Sequence, residues 1–106
     1  MNTQLKKGIL EMCILHCISK KDLYGYDIMK EITKLFPDVS ESTIYAILRR
    51  TNKENLTDTY FGQESNGPKR KYYHLTELGN NHLNNIILDW SKINSILESI
   101  GIEVKE

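Results

Sequence analysis

The sequence is short of everything that builds secreted, membrane or metal-bound proteins. Two cysteines in 106 residues cannot supply the framework of a small disulfide-built domain. Cys13 and Cys17 stand one helical turn apart, a poor geometry for a bond to each other. His16, His74 and His82 are scattered, so the cysteines find no partners for a zinc site, and neither a metal nor a cofactor is expected. Small buried hydrophobes is the plain reading of both cysteines; a thiol-responsive regulator, through an intersubunit bond, is the alternative. No apolar run approaches a bilayer span, and MNTQLKKG lacks the core of a signal peptide. A cytoplasmic protein without a membrane partner is the expectation, which leaves the sequon Asn55-Leu56-Thr57 without meaning. Nothing sets a base beside a nucleophile, so the chain does not read as an enzyme. Net charge is missing too: 14 basic and 14 acidic residues cancel, and any attraction to nucleic acid must be local.

That local attraction lies in one stretch. Ser40 is placed to cap a helix, with Val39 before it and Ile44 inside it as a hydrophobic staple. Ile44, Ile47 and Leu48 form one apolar stripe. Ser42, Tyr45, Ala46 and Arg49 form the opposite face, where side chains can reach base edges and phosphates. Residues 56–63 and 69–75 read as strands from their Thr, Tyr and Phe content, joined by the tight-turn pair Asn66-Gly67. Lys69, Arg70 and Lys71 stand at the hairpin tip; with Arg49, Arg50 and Lys53 on the helix they make a basic patch, while Glu98, Glu103 and Glu106 gather at the other end of the chain. Tyr72 and Tyr73 point to opposite faces, and Tyr73, in phase with Leu75, is expected inside.

The flanking segments complete the pattern. Residues 5–19 form a helix with two apolar ridges, Leu10, Ile14, Cys17 and Ile18 on one and Leu5, Ile9 and Met12 on the other, which demands two packing partners. Asp22 is placed to cap a second helix that turns Ile28, Ile32, Leu35 and Phe36 inward and stops before Pro37. Two tightly joined helices followed by a basic hairpin make a winged helix-turn-helix, and the predicted fold class is mainly α (α+β). From the cap Thr76 onward, Leu83, Ile86, Trp90, Ile93, Leu97, Ile100 and Val104 alternate spacings of three and four, the period of a coiled-coil seam, with Gly101 interrupting its last turn. The expected division is 1–75 as a DNA-binding domain, whose first helix also serves the dimer, and 76–106 as a dimerisation helix. A pure protein-interaction module is the rival class, and it would show no salt-dependent DNA binding.

Several motifs carry a resemblance. Tyr24-Gly25-Tyr26, Thr43-Ile44-Tyr45, Arg49-Arg50, Gly67-Pro68-Lys69-Arg70-Lys71-Tyr72-Tyr73 and Leu75-Thr76-Glu77-Leu78-Gly79 together resemble the PadR family of transcriptional regulators, in its short type with one C-terminal helix. Ala46 departs from the usual Pro, and Thr51, Asn52 and Asn55 from the usual Leu, Glu and Gly. Asn tolerates the left-handed conformation that ends a helix, whereas Thr51 offers less apolar surface to Leu56, so a weaker helix end is expected. The resemblance implies a ligand-responsive repressor, a homodimer on a palindromic site in double-stranded DNA, contacting it through Ser42, Thr43, Tyr45, Arg49, Arg50, Lys53, Lys69, Arg70 and Lys71. In drug-binding relatives of this kind, tryptophans at the position of Trp90 flank a flat apolar pore across the dimer. The matching positions here are Leu5, Met12, Ile87, Trp90 and Asn94, without the acid often seen at the place of Asn94. A flat aromatic small molecule is then the implied partner; a plain packed interface is the alternative.

Overall fold

The computed structural model of the chain describes residues 1–62 and 67–103. Helix α1, Thr3–Lys20, is capped by Asn2, whose side chain accepts from the amides of Gln4 and Leu5 at 3.0 and 3.3 Å. A two-residue strand β1, Leu23–Tyr24, leads into α2, Gly25–Leu35, and α3 spans Glu41–Lys53. Strands β2, Thr57–Gly62, and β3, Arg70–Leu75, form the wing, and α4, Glu77–Ser99, closes the chain. Asn66 and Gln63 lie outside the described residues; Gly67, at φ +115°, has the positive φ that the tight-turn pair implied.

The sheet has the order β1-β3-β2 and is antiparallel throughout. Strand β1 was illegible in the sequence because two residues cannot show an alternation. Its pairs are Leu23 with Tyr73 and Tyr24 with Tyr72. Tyr73 is buried, as its phase with Leu75 required, and Tyr72 faces outward. The core joins Leu10, Ile14 and Ile18 of α1, Ile28, Met29 and Ile32 of α2, and Ile44, Ile47 and Leu48 of α3, with Val39 and Tyr73.

Local signals hold where the structure is local. Ser40 Oγ accepts from Thr43 N at 3.3 Å, and both staple residues, Val39 and Ile44, are in the core. At the other end of α3, Asn55 sits at φ 63°, Asn55 N donates to Asn52 O at 3.1 Å, and Leu56 N donates to Thr51 O at 2.9 Å, a Schellman end. Thr51 is fully buried there, its hydroxyl donating to Leu48 O at 3.0 Å. Gly101, at φ 87°, ends α4 by the same motif, with Ile102 N on Leu97 O at 2.9 Å; Val104 lies outside the described residues.

Two expectations fail, one to distant partners and one to the end of a helix. Asp22 caps no helix: α2 starts at Gly25 behind Tyr24, which makes no side-chain cap. Instead Asp22 accepts from Tyr60 Oη at 2.6 Å and pairs with His74 Nδ1 at 2.8 Å, tying the α1–β1 turn to both wing strands. Leu35 is 62% exposed, because α2 ends there and the extended turn hands the inward position to Phe36. Thr76 caps α4, accepting from Gly79 N at 2.9 Å, while its hydroxyl lies between the carbonyls of Asn55 and Leu56. Gly79 and Leu83, in the first two turns of α4, are buried, whereas every described residue after Leu83 is half-buried or exposed.

Candidate nucleic-acid interface

Helix α3 divides as its periodicity required. Ile44, Ile47, Leu48 and Thr51 are buried, while Ser42, Ala46, Arg49 and Lys53 are exposed on the far side. Ser42 and Thr43 serve the helix cap first, since their hydroxyls lie 3.0 and 2.9 Å from Ser40 Oγ. Tyr45 is half-buried beside Gly25, where an added Cβ would stand 3.6 Å from the ring. Burial, with Glu41 and Tyr24 adding to it, pushes its phenol up. The tyrosine leans against α2 at Gly25 and is only partly open to a partner.

Between the C-terminal half of α3 and strand β3 runs a groove lined by Leu48, Arg49, Asn52, Lys53, Lys71 and Tyr73. Three cations converge on it, and among the described residues its lining contains no carboxylate. Such a concave positive surface suits the phosphate backbone of a duplex. Asn52 belongs to this groove although sequence reasoning passed over it. The signal existed: it stands three residues after Arg49 and seven after Tyr45, on the same helical face. Lys71 Nζ lies 5.8 Å over the Tyr73 ring, and the Arg70 guanidinium lies 5.1 Å over Tyr24. Lys69 is exposed immediately before β3, outside the strand predicted to begin with it.

Arg50 is turned the other way. Its Nη1 meets Glu11 Oε1 of α1 at 3.3 Å and Glu54 Oε1 at 3.2 Å. Partial burial works against the charged guanidinium, but the two carboxylates outweigh it and its pKa is raised. Glu11, whose side chain is 15% exposed, also takes His82 Nε2 of α4 at 3.4 Å. One carboxylate thus links α1, α3 and α4, and the adjacent arginines Arg49 and Arg50 serve different surfaces.

The residues matched to a ligand pore sit on α1 and α4. Leu5, Ile87 and Asn94 are exposed, and Met12 and Trp90 are half-buried. Of the predicted seam residues, Leu83 is already buried within this one chain, next to His82, which meets Glu11 of α1. Ile86, Trp90 and Leu97 are half-buried, whereas Ile93 and Ile100 are 44% and 67% exposed. Both thiols are raised by burial, and Cys17 further by Glu31 and Cys13. Among the described residues no helix is long and apolar enough to cross a membrane, and no three potential ligands cluster for a metal.

Comparison with known proteins agrees with this geometry. Residues 14–85 match the transcriptional regulator PadR-like family. A PadR-like transcriptional regulator from Bacillus cereus is 38% identical, covering 92% of this chain and 96% of its own, with a TM-score of 0.81. A Streptococcus transcriptional regulator is 30% identical over 93% of this chain and 98% of its own, with a TM-score of 0.84. An uncharacterised protein from Lysinibacillus sphaericus is 34% identical over 92% of this chain and 93% of its own length.

Proposed function

The chain belongs to the PadR-like family and is a DNA-binding transcriptional regulator, and from that premise we propose that it acts as a homodimeric repressor on a two-fold symmetric promoter site. The observation that carries the proposal is the uncovered side of α4. On a helical projection at about 100° per residue, Ile86, Ile87, Trp90, Ile93, Ile96, Leu97 and Ile100 fall within about half the circumference. Ile93, Ile96 and Ile100 are 44%, 58% and 67% exposed in the protomer, and Leu5 of α1 adds 51%. An apolar half-cylinder of that width needs more than one covering helix. The α4 and α1 helices of a second copy supply two. Two-fold symmetry then presents a pair of α3 helices to successive major grooves, and a pair of wings to the flanking backbone, so the site is a rough palindrome. Arg49, Lys53, Lys69, Arg70 and Lys71 carry the DNA contact in this reading. Arg50, engaged by Glu11 and Glu54, does not.

The repressor is further proposed to respond to a flat aromatic ligand at Trp90. In a two-fold dimer Trp90 approaches its own copy, with Met12, Leu5 and Ile87 around it, and paired indoles can bracket a planar ring. Such a ligand acts only by binding better to a dimer whose α3 helices are spaced wrongly for DNA. The thiol alternative is disfavoured because burial pushes both thiols up, away from the reactive thiolate.

Sedimentation and operator titration test the whole. The wild-type chain should sediment as a dimer at micromolar concentration, and Ile93→Glu should split it and abolish palindrome binding while keeping its helicity. A wild-type monomer of full helicity would remove the dimer. Planar aromatics should quench Trp90 at a stoichiometry of one per dimer and release the operator. If neither changes across their soluble range, Trp90 is an ordinary interface residue.

A further inference from the structure

We propose that Tyr24 is a positioning residue for Arg70, its ring being the platform that holds the wing guanidinium ready for a DNA phosphate; the proposal rests on the DNA-contact reading of the wing. Arg70 and Tyr72 alternate with Lys71 along β3, so both project from the outer face of the sheet, opposite to buried Tyr73. The residue facing Arg70 across β2 is Gly62, which offers no side chain. A Cβ at Gly62 would run into the Tyr72 ring. Across β1 the pair is Tyr24 with Tyr72, which places Tyr24 diagonally from Arg70, within reach of a long side chain. The guanidinium indeed lies over that ring, 5.1 Å from its centroid.

The platform is itself held from several sides. Tyr24 stands 6.1 Å from Tyr72 and 6.3 Å from Tyr26. Tyr72 stacks on Tyr60 at 5.6 Å and 13°, and Tyr60 is pinned by Asp22. Lys30 rests over Tyr26 at 5.6 Å, so a second cation is seated on the same row of rings. A contact with a ring face draws on the guanidinium's charge and on none of its N–H donors, so it does not compete with a phosphate for them. An arginine so held has given up rotamer freedom before DNA arrives, and loses less on binding. A residue 46 positions upstream thereby sets the wing's charge, which is why β1, only two residues long, matters to the site.

The test is a double-mutant cycle read by binding to a random-sequence DNA duplex, since phosphate contacts do not depend on sequence. Tyr24→Leu should weaken binding by about two- to fivefold in the Arg70 background and by nothing in the Arg70→Ala background. Tyr24→Phe, which keeps the ring, should bind as the wild type does. Equal losses in both backgrounds, or a Tyr24→Phe variant as weak as Tyr24→Leu, would overturn the assignment while leaving DNA binding intact. A wild-type chain without salt-dependent binding would instead remove the DNA reading and this proposal with it. Should Tyr24→Leu fail to fold, the wild-type chain decides: ring-shifted Arg70 δ-proton resonances that persist in the DNA complex uphold the platform, and random-coil values overturn it.

Discussion

Arg49 and Arg50 are adjacent in sequence and chemically identical, yet the structure predicts opposite consequences for their removal. Arg50→Ala deletes two partly exposed ion pairs, each contributing about 0.2–1 kcal/mol, and leaves Glu11 with His82 as its partner among the described residues. Because the Glu11 side chain is only 15% exposed, its partial loss of compensation adds to the cost. The total is about 1–2 kcal/mol, or roughly 5–10 °C in melting temperature for a chain of this size, measured at fixed protein concentration. Its DNA binding should keep the wild-type salt dependence. Arg49→Ala deletes an exposed cation of the α3–β3 groove and should scarcely move the melting temperature. The slope of log affinity against log salt should fall by about 0.9 per protomer if Arg49 meets a phosphate. If it reads a guanine edge, the loss should be about 1–3 kcal/mol on the operator and little on random DNA. The reasoning is refuted if Arg50→Ala flattens the salt slope while melting like the wild type.

Three further outcomes test other parts of the structure. Asp22 is held below the ordinary carboxylate range by the Tyr60 hydroxyl first and His74 second. A depressed carboxyl stabilises the fold above its unfolded value of about 3.9 and loses that effect as pH falls through the folded value. Asp22→Asn should therefore lower the urea midpoint between pH 5 and 7 (about neutral to mildly acid) and converge on the wild type in stronger acid; a constant gap at every pH would contradict this. Gly79→Ala would drive a Cβ into the Leu56 carbonyl. It should destabilise by about 1–3 kcal/mol in chemical denaturation despite the better helix propensity of Ala, and a stabilised variant would show this placement of α4 to be wrong. Cys13 and Cys17, raised by burial, should label slowly at neutral pH and quickly in urea. Rapid native labelling that releases DNA would revive the thiol sensor.

The sequence by itself determined what neighbours in the chain decide. Ser40, Asn55, Thr76 and Gly101 start and end their helices where their types predict, because capping is satisfied within a few residues. The period of α3 separated its buried stripe from its outward cations, and the alternation along β3 put Tyr73 inside. The family, too, was legible, because its motifs follow one another in order along the chain. Tertiary structure alone decided which surface each outward side chain serves. Asp22 offers an equally good cap on paper, but its carboxylate finds Tyr60 and His74, 38 and 52 residues away. Arg50 looks like Arg49 until α1 brings Glu11 across, and Leu83 looks like the first rung of a seam until α4 lays it on its own core. Asn52 and Tyr24 gain their places from strands β3 and β1, which meet only in the folded sheet. Helix period and cap chemistry act over one or two turns; the competition among partners for a charged or apolar side chain is settled by contacts that no local pattern encodes.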